Sequence, residues 1–161
     1  MTSEASGRSP RHRAGTAGGR ATRLLLSGLA LVVIAAGLAV HRFVAGAIGD
    51  IVGDALYACL IYLLLAIVFP GLRATRLGAL AVAVCVGVEL LQLTGLPALL
   101  AAALPPAALV LGTGFDARDL VVYALAILVA VLVHGAISAQ WRQVSPRADT
   151  QEGALPKESA L

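Results

Sequence analysis

Seven residues stand out along this chain as able to do chemistry: Asp54 with Tyr57, Glu89 with Gln92, and Asp116 and Asp119 with Tyr123. Spacings of three or four residues put each group on one face of a helix. Carboxyls flanked by phenol and amide groups can exchange protons as acid and base. They can also hold Mg²⁺ or Mn²⁺ through oxygen, or hydrogen-bond a polar group brought to them. The surroundings make the acids informative, because each lies in or beside a long apolar run. A carboxyl at the centre of a membrane span costs roughly 2.5–3.5 kcal/mol, and less near the interface. Two or three unpaired acids would remove much of a typical stability of ~5–15 kcal/mol. Pairing, protonation or access to water is therefore expected, and the cations near enough to act as counter-ions are Arg118 and Arg42.

The elements that must position these residues follow from composition. Apolar residues make up 59% of the 161 and charged residues 13%, about half the ~25% charge of a soluble domain. The charges gather in the first 23 residues, the last 20 and short breaks between apolar runs. That segregation predicts an all-α polytopic membrane protein. The runs are Leu24 to Val40, Ala55 to Phe69 (with Ile51 and Val52 ahead of it), Leu77 to Leu93 and Leu120 to Ile137. The first spans roughly 26 Å as a helix and is extended by Phe43 to Ala45, enough to approach the ~30 Å hydrocarbon core. A cleaved signal peptide is its competitor, since Ala45-Gly46-Ala47 resembles a cleavage site. The run outlasts an ordinary signal core, so an uncleaved helix is expected. Between the third and fourth runs, Pro97 to Leu104 covers only ~12 Å. It is predicted as a short interfacial or re-entrant helix, with Pro105-Pro106 as its stop. Residues 1–23 and 141–161 read as disordered tails around a four-helix membrane domain, residues 24–140. Trp141 reads as an interface anchor.

Arginine and lysine set the orientation. With the N-terminus inside, the inner side holds Arg8, Arg11, Arg13, Arg20, Arg23, Arg73, Arg76, Arg142, Arg147 and Lys157, and the outer side only Arg42 and Arg118. Both termini are therefore expected in the cytoplasm. Glu89 then lies roughly 20 Å up the third helix and Asp54 roughly 22 Å above the inner end of the second, with Asp119 opening the fourth. All three acids fall in the outer part of the membrane, where they are expected to form one polar pocket.

Each residue also has a plainer reading. Thr113 and Asp116 fit a capping box, and Asp54 fits a first turn where the helix dipole favours an acid. Glu89 and Gln92 fit a structural hydrogen-bond network between helices. Tyr57, Tyr62 and Tyr123 fit packing or belt positions, His134 an interfacial one, and Cys59 and Cys85 small hydrophobes. Gly49-x-x-x-Gly53 and the ridge Ala79, Ala83, Gly87 read as close helix contact faces.

In order along the chain, Gly53-Asp54-Ala55-Leu56-Tyr57-Ala58, Glu89-Leu90-Leu91-Gln92 and Phe115-Asp116-Ala117-Arg118-Asp119-Leu120 resemble a family of small bacterial membrane proteins, domain of unknown function 2809. The Glu-x-x-Gln and Asp-x-x-Asp elements are more distantly similar to VanZ-like proteins, named for an association with glycopeptide resistance. The resemblance covers roughly residues 24 to 137. It implies a multi-helix protein of the bacterial inner membrane with Asp54, Tyr57, Glu89, Gln92, Asp116 and Asp119 as shared polar positions, and it implies no activity.

Three function classes remain. A non-enzymatic accessory protein of the cell envelope would use the outer pocket to bind a lipid head group, a partner or an envelope-active compound. An intramembrane enzyme would use the carboxylates or an oxygen-ligated divalent metal. A small ion- or proton-coupled transporter would need a dimer or a second polar layer below Glu89, which the sequence does not offer. The first is favoured because no metalloprotease or serine-nucleophile motif is present. Gly112-Thr113-Gly114-Phe115-Asp116 also misses the Gly-x-Gly-Asp run of intramembrane aspartyl proteases by one residue. No cofactor, resident metal or nucleic acid is expected. The lipid bilayer is the one partner the sequence requires.

Overall fold

The computed structural model describes residues 14–104, 106–112 and 114–144. Six helices account for nearly all of them: α1 (Ala14–Phe43), α2 (Ala47–Val68), α3 (Ala74–Gln92), α4 (Leu96–Ala103), α5 (Ala107–Leu111) and α6 (Ala117–Val144). The described residues contain no strand. The segments Gly19–Phe43, Ala47–Val68, Ala74–Gln92 and Ala117–Gln140 are each long and apolar enough to cross a membrane. The chain is an all-α, multi-pass membrane protein.

The four spans are not equivalent. α2, α3 and α6 pack against one another, whereas α1 packs chiefly on α2. Only 6% of the apolar part of α1 is buried, against 28% for α3. The core is therefore a three-helix assembly with α1 along one flank. Its stripes obey helical spacing: Ala58, Tyr62 and Ala66 on α2, Leu77, Ala81, Cys85 and Glu89 on α3, and Tyr123 and Ile127 on α6 are all buried. The remaining surface carries exposed Leu, Val and Ile, as expected of helices facing lipid tails.

The small residues behave differently from the sequence reading. Gly49 is needed because a Cβ there would strike the Val44 carbonyl in the α1–α2 turn, while Gly53 has open space around it. Ala79, Ala83 and Gly87 face outward. They sit two residues out of step with the Leu77–Glu89 stripe, on the opposite side of α3. The close α3–α6 approach occurs instead at Gly78, whose added Cβ would stand 2.5 Å from Val131 Cγ2.

The stretch between α3 and α6 folds as two short helices where one was expected. Gly95, at φ +72°, reverses the chain after α3, and Pro97 begins α4 fully buried. Pro105 lies outside the described residues. The tails expected to be disordered fall largely outside them as well. The described parts of those tails continue their helices, α1 from Ala14 and α6 to Val144. The anchoring proposed for Trp141 concerns a side chain outside the described set.

Candidate functional site

The polar residues meet at the end of the bundle where α2 begins, α3 ends and α6 begins. Glu89 is the centre. Its side chain is 1% exposed, one turn beyond Cys85 on the buried stripe of α3. The Tyr123 hydroxyl of α6 donates to Glu89 Oε1 at 3.1 Å, and the Asp116 backbone N–H donates to Oε2 at 3.4 Å. Tyr57 of α2 closes the third side, its ring tilted against that of Tyr123 with centroids 6.1 Å apart. A carboxyl withdrawn this far from water keeps its place because both oxygens have donors.

Gln92, one turn after Glu89, fastens the next segment. Its Nε2 donates to the Leu111 carbonyl at 2.7 Å. Gly112 follows in the left-handed region at φ +66°, with the Gln92 amide so close that a Cβ would collide with it. α3 thus holds the approach to α6 by two side chains, Glu89 and Gln92. The bond to Leu111 also fixes the amide orientation, since exchanging its O and N would set two acceptors against each other. Gln92 is 8% exposed and its Oε1 is buried without a donor.

Asp116 stands just before α6, where its Oδ1 accepts the Arg118 backbone N–H at 2.9 Å. That bond makes it the N-cap of α6. A capping box would instead put Asp116 inside the helix with Thr113 as the cap. The helix begins at Ala117, however, and Thr113 lies outside the described residues. Asp119, in the first turn of α6, lies near Asp54 of α2, and Asp50 lies one turn before Asp54.

Arg118 bridges this rim, 3.5 Å from Asp116 Oδ2 and 3.6 Å from Asp119 Oδ1. The latter contact is electrostatic only, beyond hydrogen-bond range, so the buried Oδ1 of Asp119 also lacks a donor. Both pairs are partly exposed and contribute about 0–1 kcal/mol each. Arg42 does not serve as a counter-ion: its guanidinium lies 5.6 Å above the ring of neighbouring Phe43. Among the described residues its charge pairs with none of the acids.

Asp54, Tyr57, Glu89, Gln92, Asp116, Asp119, Tyr123 and Arg118 are thus gathered at one end of α2, α3 and α6, and Arg42 is not. Among the described residues no three carboxyl, imidazole or thiol groups converge as a metal cage requires. A second polar contact is absent from the sequence reading. The Tyr62 hydroxyl and His134 Nδ1 lie 2.8 Å apart, with their rings edge to face, toward the other end of the bundle. A signal for it exists: His134 follows Tyr123 by three full turns, and Tyr62 continues the buried stripe from Ala58. The Leu111 carbonyl has no such signal, being a backbone group.

Four apolar spans enclosing a buried carboxyl define an integral membrane protein of the helical multi-pass class. More particularly, the chain belongs to the family described as "Protein of unknown function (DUF2809)", whose model matches residues 43–127. The matched stretch contains every residue of the cluster. No curated protein and no solved structure matches the chain.

Proposed function

We propose that this protein is a non-enzymatic accessory protein of the bacterial cell envelope, resident in the inner membrane with both termini in the cytoplasm. Its outward end carries a polar pocket for an envelope molecule. One observation carries the reading: Glu89 is fully buried and held by donors from two other segments. A carboxyl adds no hydrophobic stability at that position, and its retention in a span points to use. The gathered carboxyls lie at the end away from Arg20, Arg23, Arg73 and Arg76, which favours the outer leaflet for the pocket under the positive-inside rule. The partial similarity of the Glu-x-x-Gln and Asp-x-x-Asp elements to VanZ-like proteins agrees with an envelope setting.

The test is genetic with a biochemical control. A deletion strain is complemented with the unaltered chain and with Glu89→Gln, which preserves side-chain shape. The variant is expected to reach the membrane at normal levels and fail to restore the deletion phenotype. Full complementation by Glu89→Gln would sink the reading.

A further inference from the structure

The connection between α3 and α6 carries a surface that the carboxyl cluster does not use, and its role is independent of the pocket proposed above. From Leu90 to Phe115 the chain holds no charged residue. Leu93, Leu96, Leu99, Leu104, Leu109 and Val110 each expose half or more of their surface, although α4 packs on α5 and on α3. A connection running through water would carry polar residues at such positions, and an apolar patch of this extent marks a membrane or partner surface. A helix lying flat among head groups needs one polar face. Neither α4 nor α5 has one.

Two observations select acyl chains as the occupant. The first is continuity with the surface the spans already present to lipid. Val86, Leu90 and Leu93 form one exposed stripe along α3, spaced four and three residues apart, and that stripe leads directly to Leu96 and Leu99. The second is the backbone, which can enter hydrocarbon only where its polar groups are paired. The Thr94 hydroxyl donates to the Leu91 carbonyl at 2.6 Å and accepts the Leu96 N–H at 3.3 Å. The Leu104 N–H donates to the Leu100 carbonyl and the Ala107 N–H to the Leu104 carbonyl, at 2.7 and 2.8 Å. Gln92 takes up the Leu111 carbonyl at the end of α5, and Pro97, Pro105 and Pro106 bring no N–H at all. Gly95 and Gly112, both with positive φ, bracket the segment. At ~12 Å, α4 is too short to cross, so the chain leaves and re-enters on the same side. We infer that α4 and α5 form a hairpin inserted among the acyl chains of the leaflet nearest the carboxyl cluster, anchoring that end of the bundle in lipid.

The experiment places single tryptophans in the full chain, with Trp141 replaced by Phe, and reconstitutes it in phosphatidylcholine vesicles. Leu99→Trp reports on α4 and Leu109→Trp on α5. Leu125→Trp, at an exposed position of α6, is the reference for contact with lipid chains. Gly71→Trp, in the turn between α2 and α3 with open space around it, is the reference for water. Both hairpin tryptophans are expected to be quenched by chain-brominated phosphatidylcholine as strongly as the one at position 125, and to lose the iodide quenching seen at position 71. They stand on different helices, so either decides the question should the other variant fold poorly. Iodide quenching equal to that of Gly71→Trp puts the hairpin in water and overturns the inference. Protection from both quenchers means that protein covers the face, a second copy of this chain included, and overturns it equally.

Discussion

Tyr123→Phe isolates the energetic consequence of burying Glu89. The substitution removes one hydroxyl and leaves the ring against Tyr57, so packing at 6.1 Å between centroids is retained. What is lost is the 3.1 Å bond to Oε1 of a side chain 1% exposed. The remaining donor, the Asp116 N–H, is a long 3.4 Å contact to the other oxygen. Leaving a buried acceptor unsatisfied costs about 1–3 kcal/mol in water-soluble proteins. Hydrogen bonds between membrane helices average about 0.6 kcal/mol with a maximum near 1.7, because the unfolded chain in lipid also finds partners. The high burial of Glu89 puts the expected loss in the upper half of that membrane range, about 1–1.5 kcal/mol, roughly a five- to thirteenfold shift in the unfolding equilibrium. The background decides the interpretation. Glu89→Leu removes the acid but leaves the buried Tyr123 hydroxyl and the Asp116 N–H without their acceptor, so the gain from losing a buried carboxyl is offset by two unpaired donors. In that background Tyr123→Phe should be neutral or stabilising, because it removes a buried hydroxyl that has lost its acceptor. Reversible unfolding in mixed micelles gives the four free energies of the cycle. A coupling energy below about 0.3 kcal/mol, or equal losses from Tyr123→Phe in both backgrounds, would refute the description of Glu89 as a donor-dependent buried acid.

Three further outcomes are expected. Gly112→Ala should destabilise by at least about 1–2 kcal/mol from its left-handed backbone and from collision with Gln92. Gly114→Ala, with ordinary φ and open space, should be near neutral in the same unfolding assay. Gly78→Ala should separate α3 from α6 and lower the unfolding midpoint, whereas Gly87→Ala, which meets nothing within 4 Å, should raise it slightly through helix propensity; equal effects at both positions would refute the packing contrast. Tyr62→Phe should cost about 0.5–1.5 kcal/mol by losing its bond to His134, and that loss should vanish in a His134→Leu background.

The parts of the fold visible in the sequence are those fixed by long-range composition. Span number and the gathering of the acids follow from apolar run length and from spacings of three and four, both robust for helices in lipid. Finer features depend on local competition. Asp116 is the N-cap because α6 starts at Ala117, and helix starts shift by a residue or two at little energetic difference. Arg42 is a plausible counter-ion by height alone. It lies at the end of α1, however, and α1 packs chiefly on α2, away from α6. That lateral arrangement has no one-dimensional signature. The Gly49-x-x-x-Gly53 pattern misleads for a related reason: a small residue records that something comes close, without recording whether it is a helix face or the turn just passed.

The Tyr62–His134 contact bears on the transport alternative, which requires a second polar layer inward of Glu89. Such a layer exists, but what separates the two matters more than their presence. Ala58, Ala81, Cys85 and Ile127 lie between them, each 0–2% exposed and in one continuous cluster with Leu77. A proton or ion moving from Glu89 to His134 would cross this stretch with only the weakly hydrogen-bonding Cys85 thiol on the way, and a close-packed apolar layer excludes water. Opening it would require α3 and α6 to part near Gly78 and Val131, where an added Cβ would stand 2.5 Å from the valine methyl. In contrast, the carboxyl cluster is open at Asp116 and Arg118, with side chains 51% and 41% exposed. A cluster exposed on one side and sealed on the other by the core is consistent with the binding role proposed above and not with conduction.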